Sequence, residues 1–256
     1  MKTQNLVLRF LITFTIGIAF ILMVTMLFSS CKNDASGVSG TLQLKAGSQN
    51  QGLKSATIVS VNGSISLNAA TVEIKNLRVE ENSGNDNQNG DQSGDANDNE
   101  KEKSSKSENN EGGDLMLPGP YLLDILNGIA SIDQVPVQPG TYKKVDFDFF
   151  AGPENSNHSI ELSGIFTNAQ GIAIPFTLTS EFAETVQLPL AGNGVHVSSG
   201  GSSTISILFD VNNWLGKLDL NTATPDNGQI SITKDKNAGL YLAFLSELSK
   251  HIEIEN

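Results

Sequence analysis

Pro139-Gly140-Thr141-Tyr142-Lys143-Lys144-Val145-Asp146-Phe147-Asp148-Phe149-Phe150 is the stretch on which the fold is decided. Pro139 and Gly140 supply the backbone angles of a turn. Beyond the turn the residues alternate, with Val145, Phe147 and Phe149 pointing one way and Asp146 and Asp148 the other. A period of two is the mark of a half-buried β-strand.

The same pattern extends in both directions. Upstream, Gly40–Lys45 sets Leu42 and Leu44 against polar neighbours, and Ala56–Val61 and Ser64–Leu67 flank Asn62-Gly63, a hairpin signal because both residues tolerate positive φ. Thr71–Glu80 places Val72 and Ile74 on one face, then slips phase to Leu77 and Val79, which predicts a bulge near Asn76. Tyr121–Leu126 is apolar around Asp124 and stops at Asn127-Gly128. Downstream, Ser159–Phe166 and Ile172–Thr179 read as a hairpin about residues 168–171, with Pro175 placing the second strand at an edge. Glu184–Leu190, Val195–Ser198, Ser203–Val211 and Gln229–Thr233 add further short strands. From Asn237, a candidate N-cap, Leu240, Tyr241, Phe244, Leu245, Leu248 and Ile252 recur at helical spacing, predicting a C-terminal amphipathic helix over 237–256. Leu240–Leu245 also reads as a strand. Many short strands between turn signals predict an all-β fold, an antiparallel β-sandwich.

Composition narrows the function. The chain of 256 residues carries 16 Lys plus Arg against 28 Asp plus Glu, net −12. It lacks the basic footprint that phosphate neutralisation requires, so no nucleic-acid partner is expected. One cysteine, Cys31, makes neither an internal disulfide nor a Cys-based zinc site.

The first thirty residues read as an address. Lys2 and Arg9 form a positive segment, and 19 uncharged residues run from Phe10 to Phe28. The run ends Leu27-Phe28-Ser29-Ser30-Cys31. This resembles the lipobox of bacterial lipoproteins, in which the signal peptide (residues 1–30) is removed and the cysteine acylated, so Cys31 is the expected lipidation site. The family usually has Leu three residues before the cysteine, where Phe28 stands here. The other reading of the run is an uncleaved anchor helix, since its length is close to the ~20 residues that span a bilayer. Lys32 after the cysteine, in place of Asp, implies delivery to the outer membrane; Lys32-Asn33-Asp34 weakly resembles the export tags of surface lipoproteins. Residues 31–39 would be a tether, with the body facing the periplasm or the outside.

Residues 82–114 hold no aromatic or branched aliphatic residue, nine acids and three lysines. Such a segment cannot bury enough apolar surface to offset ordering entropy, so it reads as a disordered acidic insert in a β domain over 40–236. Within it Asp91, Ser93, Asp95, Asn97, Asn99 and Glu102 fall at the ligand spacing of a calcium loop. Ala96 stands where that loop needs Gly and no amphipathic helices flank it, so a solvated acidic loop is the reading adopted.

Four stretches carry a family resemblance: Gly40-Thr41-Leu42-Gln43-Leu44, Leu122-Leu123-Asp124-Ile125-Leu126-Asn127-Gly128, Val137-Gln138-Pro139-Gly140-Thr141-Tyr142-Lys143-Lys144-Val145 and Ile207-Leu208-Phe209-Asp210-Val211. Together they resemble a family of uncharacterised Gram-negative lipoproteins built on a domain of unknown function. The resemblance spans Gly40 to Leu220 and implies a carbohydrate-binding-like sandwich, Ig-like or transthyretin-like, in the cell envelope. It departs at Lys45-Ala46-Gly47-Ser48, where a Thr-Asp-Ala-Pro-like turn belongs. It implies no activity, and fold is not function.

The residues themselves offer few sites. His158, His196 and His251 have no shared metal-ligand spacing, and no nucleophile elbow or phosphate loop is present. No enzyme, cofactor or metal site is expected. Asp146 and Asp148, about 6–7 Å apart along one strand face, suit a glycosidase pair, but acids two apart usually mark a solvent-facing sheet. Asp210, Asn212, Asn213 and Trp214 form the candidate ligand patch, because an indole face stacks on sugar rings and amides hydrogen-bond hydroxyls. Against that, a lone Trp214 is more often a core residue. The chain thus reads as a lipid-anchored, non-catalytic binding or adhesion module. Its partners would be the membrane, through Cys31, and a glycan or protein, with the oligomeric state open. A structural subunit of a surface assembly is the alternative, and a hydrolase the third reading.

Overall fold

The computed structural model describes residues 38–49, 53, 57–82 and 113–256. The signal segment, Cys31 and the calcium-spaced residues 91–102 lie outside the described residues. The fold is mostly β. Fourteen strands are described: β1 (Gly40–Ser48), β2 (Thr57–Ser60), β3 (Gly63–Glu81), β4 (Leu115–Leu117), β5 (Tyr121–Asp124), β6 (Ala130–Val137), β7 (Gly140–Phe149), β8 (Ile160–Asn168), β9 (Ala173–Ser180), β10 (Thr185–Pro189), β11 (Val195–Val197), β12 (Ser202–Phe209), β13 (Ile230–Ile232) and β14 (Ile252–Glu255). Two α-helices are described with them, α1 (Val211–Gly216) and α2 (Ala238–Leu248).

The larger sheet is organised on β3. Where two strands are predicted, one strand of 19 residues runs through Asn68-Ala69-Ala70. Residues 71–74 pair with β5 while Thr71 and Val72 also pair with β8 and Ile74 with β7. A strand residue has only two edges, so β8 and β7 lie end to end along one side, and β2, β5 and β4 along the other. The expected bulge is present: Lys75 opposes Asp148 and Arg78 opposes Asp146, so Asn76 and Leu77 together face one residue of β7. Asn76 takes φ 52° to make it. The extra residue restores phase, so Ile74 and Leu77 are both fully buried.

The smaller sheet runs β14-β12-β1-β6. Its central pair, β1 and β12, is parallel from Thr41↔Ser202 to Ser48↔Phe209, and β13 runs parallel to β9. The expectation of an antiparallel arrangement throughout is therefore corrected to mixed sheets. These pairs join segments distant in the chain, with no hairpin turn to enforce antiparallel order.

The sheets share one apolar core. Phe147 and Phe149 of β7 meet Phe209 of β12 at ring-centroid distances of 6.3 and 6.4 Å. Phe209 meets Trp214 of α1 at 5.7 Å, and Trp214 meets Phe244 of α2 at 6.0 Å. Edge-to-face and tilted ring pairs each add about 0.5–1.5 kcal/mol beyond area burial.

Four local expectations shift. Ser60 pairs with Gly63, so the β2–β3 turn is Val61-Asn62, one residue earlier than read. Asn62 supplies the positive φ, 58°, and Gly63 serves close approach, since a Cβ there would lie 2.4 Å from the Phe166 ring. Strand β9 is not the sheet edge: β13 covers it from Phe176 to Leu178, and Pro175 sits just before the covered part, where no amide is required. The C-terminal helix ends at Leu248, and Ile252 belongs to β14, which pairs with β12. Asn237 precedes the helix but does not cap it; its side chain instead binds Thr224 and the Ser231 carbonyl.

Candidate functional site

The sequence-predicted patch around α1 divides in two. Asp210 caps the helix, its carboxylate accepting from the Asn213 backbone N–H at 3.0 Å and from Asn213 Nδ2 at 2.5 Å. That satisfies an orphan donor of the first turn. Trp214 is fully buried among Phe209 and Phe244, so its face is closed to a sugar ring. The core reading of this tryptophan applies.

Asn212 and Asn213 instead line a cleft of about 380 Å³ with Thr57, Ile58, Val59, Gly216 and Lys217. One wall is β2 and the other α1. The walls come close because Gly216 has no side chain: a Cβ there would lie 3.2 Å from the Val59 carbonyl. The β2–β3 turn is tied to the segment after α1, with Asn62 Nδ2 donating to Asp219 at 3.3 Å and Asn221 Nδ2 donating to the Asn62 carbonyl at 3.1 Å. The Asn212 Oδ1 and Trp214 Nε1 atoms are buried without hydrogen-bond partners among the described residues. Val59 is 80% exposed, and Lys217 forms no ion pair among the described residues. Sequence reading missed Val59 and Lys217, because only the tertiary meeting of β2 and α1 makes them neighbours of Asn212.

Asp146 and Asp148 are engaged on the outer face of the larger sheet. Arg78 donates to Asp146 Oδ2 through Nε at 3.0 Å and pairs with it through its terminal nitrogen at 2.9 Å. Lys144 stands 3.4 Å from the other Asp146 oxygen and 2.9 Å from Glu80, and Arg78 also pairs with Glu80. Asp148 accepts from Thr185 at 2.6 Å and Asn76 at 2.7 Å. These bonds, Thr185 first and Asn76 next, hold the Asp148 carboxyl below its ordinary value. A carboxylate stabilised in its ionised form is a poor general acid. Asp146 thus belongs to a cross-strand charge cluster, and Asp148 to a pair of hydrogen bonds from neutral side chains.

The remaining polar groups are dispersed. His196 shares a 3.3 Å hydrogen bond with Thr141, and His251 lies 3.2 Å from Glu247. His158 is half-buried and lines a smaller pocket with Glu181, Lys234 and Tyr241. Glu73, which alternation places on the outer face, is fully buried beneath the loop after β7 and accepts from the Gly152 N–H at 3.2 Å. No group of three or more His, Cys, Asp or Glu suited to a metal occurs among the described residues. At the roots of the acidic insert, Glu81 N–H donates to Asp114 at 3.0 Å and Gly113 N–H donates to the Glu81 carboxylate at 2.9 Å.

Compared with protein-family models, with curated proteins and with solved structures, the chain matches none.

Proposed function

We propose that the chain is a bacterial lipoprotein, acylated at Cys31 and held at the outer membrane or cell surface, whose β body is a non-catalytic binding or adhesion module. The observation that carries this reading is the sequence Lys2…Arg9, 19 uncharged residues, then Ser29-Ser30-Cys31. Each acyl chain would contribute ~0.8 kcal/mol per buried methylene, and more than one chain makes a durable anchor.

The finer fold reading, a transthyretin-like or Ig-like sandwich of the resembled lipoprotein family, belongs to the same proposal. Its support is the shared core of Phe147, Phe149 and Phe209. The non-catalytic reading is supported by the engagement of Asp146 with Arg78 and of Asp148 with Thr185 and Asn76. Metabolic labelling tests the anchor: palmitate should enter the wild-type chain, and Cys31→Ala should abolish labelling and release the protein from the membrane fraction. Labelling that persists in Cys31→Ala removes the proposal.

A further inference from the structure

We propose that residues 151–158, the loop between β7 and β8, form a strap that opens as a unit while the sheets stay folded, and that its opening uncovers the carboxylate of Glu73.

The strap arises because β7 and β8 lie end to end along β3. The ladder passes from one to the other at Glu73, whose carbonyl accepts from the Phe150 N–H at 2.9 Å and whose N–H donates to the Ser159 carbonyl at 2.8 Å. The residues in between have no place in the sheet, and they fold over its outer face and cover the Glu73 side chain. Gly152 and His158 pair at the neck of the loop. Within it the Asn157 N–H donates to the Gly152 carbonyl and the His158 N–H to the Asn155 carbonyl, both at 2.8 Å. A compact loop with joined ends and its own hydrogen bonds is a unit of local opening.

What the strap covers is costly to cover. Glu73 is fully buried, yet among the described residues its carboxylate accepts only the Gly152 N–H, at 3.2 Å, and Oε1 has no partner. His158 Nδ1, at the other end of the strap, is also buried without a partner among the described residues. Water satisfies both atoms once the strap lifts. Ser156 and Asn157 stand at φ 55° and 62°, the left-handed region that a residue with a Cβ enters at a cost.

Little holds the strap down in return. Between Phe150 and Ile160 there is no Val, Ile, Leu, Met, Phe, Tyr or Trp to root it in the core. Its one plug is Asn155, which is buried, accepts from Thr71 Oγ1 at 3.0 Å and donates to the His158 carbonyl at 2.8 Å. Segments with few buried apolar contacts open at free energies well below that of global unfolding. Uncovered, Glu73 shares its face of β3 with Lys75, whose ammonium lies over the Phe150 ring, 4.3 Å from its centroid, while the strap is closed.

Carboxyl footprinting of the full-length chain in detergent, with a water-soluble carbodiimide and glycine ethyl ester, reads the opening. Coupling joins the carboxyl carbon to the amine as an amide, and the carbodiimide leaves as a substituted urea carrying the displaced oxygen. The tryptic peptide of residues 55–75 contains no other acid, so its mass shift reports Glu73 alone. Labelling should proceed without denaturant and stay level through low urea, since a local opening exposes too little surface to respond, while hydrogen exchange at the Val72 and Ile160 amides should rise with urea. Asn155→Ala removes two hydrogen bonds and should speed labelling about tenfold. Gly152→Ala should speed it too, because a Cβ there would collide with Glu73 Oε1 and the Phe150 ring. Labelling that climbs with urea in step with the Val72 and Ile160 amides would mean that only global unfolding reaches Glu73, and overturns the proposal. So does labelling as fast as at the exposed Glu154, which would mean that Glu73 has no cover. An unchanged rate in a folded Asn155→Ala or Gly152→Ala chain overturns it as well, and the wild-type urea series decides alone if neither variant folds.

Discussion

Replacing Phe209 by Ala removes the side chain through which the two sheets and α1 meet. Phe209 is fully buried, and its ring faces Phe147 at 6.3 Å, Phe149 at 6.4 Å and Trp214 at 5.7 Å. Truncating a buried Phe costs about 3–5 kcal/mol through lost transfer energy and the cavity left behind. Three ring contacts, each worth about 0.5–1.5 kcal/mol, place this position at the upper end, about 4–5 kcal/mol. Domains are stable by only about 5–15 kcal/mol, so much of the total is lost. Urea unfolding monitored by emission of Trp214, the chain's one tryptophan, reports the change at the packing site itself. The control is Leu242→Ala on α2, where the side chain is 64% exposed and the cost should stay within about 0.5 kcal/mol. A loss at Phe209 below about 1.5 kcal/mol, or equal to that of the control, would refute a core shared by the two sheets.

Two other perturbations draw on contacts at the larger sheet. Replacing residues 83–112 by a short Gly-Asn-Gly turn should leave β3 and β4 paired, because Glu81, Gly113 and Asp114 already clamp the roots, and shortening the loop should raise stability by about 1–2 kcal/mol; cooperative unfolding lost in this variant would contradict it. Asp148 has its folded-state pKa below the ordinary value of 3.8, so its stabilising effect is present above that pH and fades as pH falls through the lowered value. Asp148→Asn should therefore lower the Tm near neutral pH and lose that difference once the pH has fallen through the lowered value, and a difference that is constant with pH would contradict the assignment.

Much of the β character was legible because single strands declare it. Val145, Phe147 and Phe149 alternate with acids and are buried together, and the phase slip from Ile74 to Leu77 marks the Asn76 bulge. The hairpin at Asn62 was misplaced by one residue because Gly63 signals a turn in sequence but serves close packing against Phe166. Ile252 continues the spacing of Leu248, and helical periodicity cannot distinguish it from a strand that pairs with β12. Parallel pairing of β1 with β12 leaves no local trace at all. The candidate site was half legible. Asn212 was visible as an amide beside a tryptophan, but Lys217 and Val59 join it only when β2 packs on α1. Trp214 takes the core place that a lone tryptophan more often has, and its burial makes it a support for the helix.

The central claim concerns the amino terminus, and mass spectrometry of the mature protein tests it most directly. Lys32 stands directly after Cys31, so trypsin should release a Cys31-Lys32 dipeptide. The account predicts this peptide with a lipidated cysteine and an acylated amino group, and no peptide from residues 1–30. Recovery of Met1 peptides from the membrane-bound protein, with an unmodified Cys31 thiol, would contradict it.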